Sequence, residues 1–158
     1  MQLYFFRHGV AEKRSEWKDD DDLRPLTDDG RTAIVRSSVM LTRLGVAPEV
    51  IVTSPLVRAR QTAEIVGEAL GVDDKVVGDL RRAHGFGRKQ LAAILADHPK
   101  AESVMVVGHE PEFSATIGEL TGARVACKKG SLALVEVSDR ASLRGQLVWL
   151  LQPKVLTL

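Results

Sequence analysis

Two arginines and two histidines stand at points of this sequence where apolar runs stop. Arg7, His8 and Gly9 come directly after LYFF, Gly108, His109 and Glu110 come after SVMVV, and Ser54-Pro55 ends VIVT with Arg58 close behind. Guanidinium forks match phosphate oxygens, and backbone N–H groups at helix N-termini add partial positive charge. Gathered in one place, these side chains would make a pocket for a phosphoryl dianion. Taken singly, each has an ordinary structural explanation, so the case depends on what brings them together.

The elements that must do so are short Val-, Ile- and Phe-rich runs alternating with longer segments of helical period, a pattern of βα units around a largely parallel sheet. Strands are predicted at 2–6, 50–54, 75–80 and 103–109, with helices between them. Thr27 reads as the N-cap of a helix to about Arg43, with Asp28 and Asp29 at its positive end. Ser54 reads as the N-cap, and Pro55 as the first residue, of a helix whose Leu56, Ala59, Ala63, Val66 and Leu70 face the sheet. A third helix spans 87–98, stopped by Pro99, and a fourth spans 112–120. The segments SLALVEV and QLVWLLQP read as antiparallel edge strands. In an open α/β sheet the carboxyl ends of the strands form the ligand crevice, so the three motif-bearing strand ends can converge. Arg58, in the first turn after Pro55, leans back toward the same crevice, whereas Arg60 projects about 200° around the helix and reads as a surface charge.

With 158 residues the chain has the size of one domain, read here as 1–158. Its 22 Lys and Arg against 21 Asp and Glu leave no basic excess for nucleic acid, and any important positive charge must be local. Cys127 is the single cysteine, so no internal disulfide framework is possible. No apolar run has the roughly 18 residues of a membrane span. A cytoplasmic monomer is expected. The four aspartates 19–22 read as a solvated surface rather than a metal site, and Trp17 beside them as a loop anchor or a partner-facing aromatic.

FFRHG, RPLTDDG, SPLVRARQTAEI and VVGHEP, in this order and spacing, resemble the histidine phosphatase superfamily, and within it the small bacterial phosphohistidine phosphatases; the likeness runs from residue 2 to about 120. The resemblance implies a three-layer α/β/α sandwich of the phosphoglycerate-mutase-like kind. It implies that His8 is the nucleophile, transiently phosphorylated, and that Arg7, Arg58 and His109 bind the phosphoryl oxygens. No cofactor and no metal are expected, because such a transfer needs mainly positioning and charge stabilisation. Gly9 would let the backbone approach the phosphate closely, and Arg24 in DLRPLT is a further substrate-binding candidate.

Many superfamily members that cleave sugar or alkyl phosphates carry a glutamate donor in the loop after the third strand. Here that loop reads DLRRAHGFGRKQL, with no Glu, so Asp79 and His84 are its candidates for acid work and His84 is also a candidate to bind substrate. An alkoxide needs a proton on leaving, whereas imidazole is a far weaker base, so a donor-poor site suits phosphohistidine on a partner such as a phosphotransfer domain. A phosphatase for small phosphomonoesters and a non-catalytic phosphate-binding module remain as alternatives, the second disfavoured because a binder has no need of His8. Glu110 reads as a helix cap.

Overall fold

Leu3 and Phe5 face one side of strand β1 (Gln2–Arg7) and Tyr4 and Phe6 the other, and all four are buried. Alternate residues of a strand point to opposite faces, so β1 must be covered on both. The computed structural model describes residues 1–79, 81 and 84–158, and in these β1 lies inside a six-stranded sheet. β4 (Ser103–Gly108) pairs with β1 in parallel, β2 (Val50–Thr53) pairs in parallel with β4 and β3 (Val76–Gly78) with β2, and β5 (Leu132–Asp139) and β6 (Arg144–Leu151) follow in the chain. The strand order is β3-β2-β4-β1-β5-β6.

Helices α1 (Asp28–Arg43), α2 (Val57–Leu70) and α5 (Pro153–Leu156) cover the Tyr4–Phe6 face through Ile34, Leu41, Ala59, Ala63, Val66 and Leu156. Helices α3 (Arg88–Asp97) and α4 (Glu112–Thr121) cover the other face through Leu91, Ile94, Phe113 and Ile117. The result is the expected three-layer α/β/α sandwich. Phe113 meets Phe5 and Phe86 edge-on, with centroids 5.4 and 5.9 Å apart, and such pairs add about 0.5–1.5 kcal/mol each beyond buried area. They fix α4, and with it the segment that follows β4, against the centre of the sheet. Among the described residues no helix is long and apolar enough to cross a membrane.

The structure corrects the sequence reading at β5, α2 and β3. Strand β5 is not an edge: it pairs antiparallel with both β1 and β6, so only β6 and β3 are edges. Its Leu132–Val135 run is buried throughout, as an inner strand requires. Helix α2 starts at Val57 with Leu56 as N-cap, two residues later than expected, because Ser54 and Pro55 form a turn in which the Leu56 N–H donates to Ser54 Oγ at 3.3 Å. The third strand is shorter than 75–80: Asp73–Lys75 form a 3₁₀ turn, β3 ends at Gly78, and Leu80 lies outside the described residues. Thr27 is the N-cap of α1 as expected, its hydroxyl accepting from the Gly30 N–H at 2.9 Å.

Candidate active site

Register explains how residues a hundred positions apart meet. β1 and β4 run parallel with Arg7 opposite Gly108, and the His8 N–H donates to the Gly108 carbonyl at 3.0 Å, so His8 and His109 leave the sheet side by side. Thr53 lies opposite Val107 on the next strand, which sets Ser54 beside His109. The two imidazole centroids are 5.1 Å apart, and His109 Nε2 and Ser54 Oγ share a hydrogen bond of 2.8 Å. Ser54 is fully buried and fixes the orientation of the His109 ring; the sequence sets it at one of the three converging strand ends but gives its side chain only a capping role.

His8 is buried, and its Nδ1 lies 2.7 Å from the Gly9 carbonyl oxygen. A carbonyl can only accept, so Nδ1 carries the proton and Nε2 is left with the lone pair. Burial first, then the neighbouring His109, Arg58 and Arg7, push the His8 pKa down to about 3, against the smaller upward pull of its bond to Gly9. The imidazole is therefore neutral throughout the physiological range. This has a measurable cost. Between about pH 6.5 and 3 the unfolded chain binds a proton at His8 that the folded chain refuses, so stability is intact above 6.5 and falls as pH drops through that window. The slope contributed by this group is about 1.4 kcal/mol per pH unit. Urea midpoints measured from pH 7 to 4.5 should fall more steeply for the unmodified protein than for His8→Asn. Parallel curves would show that His8 protonates freely in the folded state.

The crevice above His8 is a cavity of about 310 Å³ lined by Arg7, His8, Asp21, Arg24, Leu56, Arg58, His84, His109, Glu110, Glu112 and Lys129. Arg7, His8, Arg58 and His109 are thus brought together as the sequence led one to expect. Arg58 is buried while the Arg60 side chain is 55% exposed and pairs with Glu64, which confirms the helical placement of the two arginines. Arg7 Nη1 donates to the Cys127 carbonyl at 2.7 Å, and Arg58 donates through Nη1 and Nη2 to the backbone and side-chain oxygens of Asp21 at 2.8 and 3.2 Å. The Nε atoms of both arginines are shut off from solvent with no acceptor. Buried donors are nearly always satisfied, so two orphaned guanidinium N–H groups beside a neutral imidazole form an arrangement suited to an oxyanion.

Arg24 lines the cavity, with Nε committed to Asp21 Oδ1 and Nη1 to the Glu12 carbonyl, both at 2.7 Å. Gly9 does not line it. A Cβ there would stand 2.8 Å from Ile34 Cγ1 and 3.3 Å from Leu26 Cδ2, so glycine is required for packing against α1 rather than for approach of a phosphate. His84 is at the cavity and exposed; Arg82 and Ala83 of the same loop lie outside the described residues. Asp79 does not line the cavity, and its carboxylate is held by the Arg81 guanidinium.

Asp21 corrects the reading of the aspartate run as a solvated surface. Its carboxylate meets Arg14, Arg24 and Arg58 together. Partial burial pushes its pKa up, but the hydrogen bonds from Arg24 and Arg14 and the charge of Arg58 outweigh that and hold it at about 2. The Trp17 indole donates to the Asp20 carbonyl at 2.9 Å and pins the segment as a loop anchor. Glu110 caps α4 as expected, accepting from the Ser114 N–H and hydroxyl. Sequence reasoning missed Glu112 and Lys129 altogether: neither belongs to a motif, and both reach the cavity only through the fold. Glu112 Oε2 is buried with no hydrogen-bond partner. Among the described residues no three His, Cys, Asp or Glu side chains group closely enough to hold a metal ion.

The family model described as the histidine phosphatase superfamily, branch 1, matches residues 3–85. The chain belongs to the histidine phosphatase superfamily. As a superfamily member it is a phosphatase, and the part of its cavity supplied by His109, Glu110, Glu112 and Lys129 comes from beyond the matched stretch. An uncharacterised protein of Picosynechococcus sp. is 42% identical over 119 residues, covering 72% of this chain and 68% of that one. The phosphohistidine phosphatase SixA of Escherichia coli is 26% identical over 155 residues, 97% of this chain and 94% of SixA. The structure of the protein histidine phosphatase SixA complexed with tungstate superposes with a TM-score of 0.86 at 25% identity over 98% of each chain. The superfamily fold is shared more widely: a putative α-ribazole-5'-P phosphatase of Escherichia coli matches with a TM-score of 0.76 at 17% identity over 98% of each chain.

Proposed function

We propose that this phosphatase removes phosphoryl groups from phosphohistidine carried on a protein, through a phosphorylated His8. The observation that carries the chemistry is the neutral His8, with its Nε2 lone pair free, beside the orphaned Nε groups of Arg7 and Arg58. The lone pair attacks phosphorus, the P–N bond of a substrate ring protonated on its other nitrogen breaks, and the electron pair stays with the imidazole, which leaves neutral. Arg7, Arg58 and His109 take up the charge on the phosphoryl oxygens. Water then attacks phospho-His8, giving inorganic phosphate and restoring Nε2. The substrate reading rests on the likeness to SixA along nearly the whole chain and on the loop after β3, which brings His84 and no carboxylic acid to the cavity.

One observation favours a second reading, a phosphatase for small phosphomonoesters. Glu112 brings to the cavity a carboxyl group with one oxygen unpartnered, the type of group that can pass a proton to an alkoxide leaving group. A single comparison separates the two. The specificity constant for a phosphohistidine protein should exceed that for sugar and alkyl phosphates by on the order of 10²–10⁴, the usual size of the general-acid contribution that the esters lack here. Equal or better turnover of a sugar phosphate, lost selectively in Glu112→Gln, would transfer the assignment to the ester phosphatase.

A further inference from the structure

The cations of the cavity are unequally provided for. Arg58 and Arg24 lean on Asp21, Arg24 also on the Glu12 carbonyl, and Arg7 on the Cys127 carbonyl. Lys129 lines the same cavity and is exposed, yet among the described residues it has neither ion pair nor hydrogen bond for its ammonium. Partial burial and the like charges of Arg7, Arg24 and Arg58 lower its pKa, so the fold keeps a fourth cation where three others disfavour it.

That position is built. The turn before β5 is fastened to the backbone of the Arg7-His8 pair: the Gly130 N–H donates to both the Arg7 carbonyl, at 3.1 Å, and the His8 carbonyl, at 3.0 Å. Gly130 has φ +81°, a conformation that glycine adopts without strain. Arg7 grips the same turn from its other end through the Cys127 carbonyl. Lys129, exposed and lining the cavity next to Gly130, is thereby held at its rim.

The phosphoryl oxygens have their donors deeper in the cavity, at the two orphaned arginine Nε groups and at His109. A rim ammonium with no internal anion answers what lies beside the phosphoryl group. We infer that Lys129 determines specificity by binding a second anionic group, a carboxylate or a phosphate, carried by the substrate next to the phosphoryl group that is removed. This rests on the proposed phosphoryl site, but not on the identity of the leaving group.

The test uses three phosphohistidine peptides that differ at one flanking position, alanine, aspartate or phosphoserine, and one ester pair, 3-phosphoglycerate and glycerol 3-phosphate. The unmodified protein should prefer a charged flank over alanine by about tenfold in kcat/KM, with the preference fading as salt is raised. Aspartate and phosphoserine distinguish a carboxylate from a phosphate as the partner. In Lys129→Gln the ratio of charged to neutral substrate should collapse to about one. No preference in the unmodified protein, or a ratio kept in the variant because all substrates lose equally, overturns the inference. If no phosphohistidine peptide is turned over, the substrate reading fails, and the ester pair decides Lys129: a carboxylate preference lost in Lys129→Gln sustains it, and a preference absent or retained refutes it.

Discussion

His8→Asn should lower turnover at least ~10³-fold, since the variant keeps a small polar side chain but has no lone pair to attack phosphorus. The same substitution should abolish an acid-labile phosphoryl label that the unmodified protein acquires when quenched during turnover. The expectation follows from Nδ1–H held on the Gly9 carbonyl, which leaves Nε2 as the reactive nitrogen, and from a pKa near 3 that keeps the ring neutral. Substrate affinity should survive, because the arginines are untouched. Label found on another residue, or residual activity close to that of the unmodified protein, would remove His8 from the reaction.

The second large effect is at Arg58. Arg58→Ala should cost about 10²–10³-fold in kcat, the usual result of deleting one donor to a developing oxyanion, while Arg60→Ala should change activity less than about twofold. The contrast comes from helix geometry: two residues apart on α2, Arg58 is buried at the cavity with an orphaned Nε, and Arg60 stands in solvent against Glu64. Removing Arg58 also leaves Asp21 with one cation fewer, so folding should be checked by circular dichroism, and Arg58→Lys, which keeps the charge but not the fork, should recover stability more than activity. Equal losses at 58 and 60 would mean that the buried guanidinium does not touch the phosphoryl group.

The strand ends were legible in the sequence because a cation, an imidazole or a serine directly after a buried apolar run has few other reasons to be there. Arg7, His8, Arg58 and His109 lie together in the structure for that reason. The rim was not legible. Four consecutive aspartates look alike as letters, and only the fold shows that Asp21 lies within reach of Arg14, Arg24 and Arg58. Lys129 and Glu112 reach the cavity through a turn clasped to β1 and through the first residue of α4, contacts that no local spacing encodes. Strand β5 was misplaced at an edge because a short apolar run gives burial but not its neighbours. Ser54 was assigned a capping role on good local grounds, and tertiary contact with His109 gave it another.

The position of β1 between β4 and β5 has a consequence for how such a protein can change over time. The groups that would do the chemistry grow from the ends of the most enclosed strands, which open only when the whole domain does, whereas His84 and Lys129 sit on connecting segments outside the sheet, where substitution disturbs the core less. A lineage can therefore redraw what its enzyme accepts, one rim residue at a time, while inheriting the reaction itself unaltered.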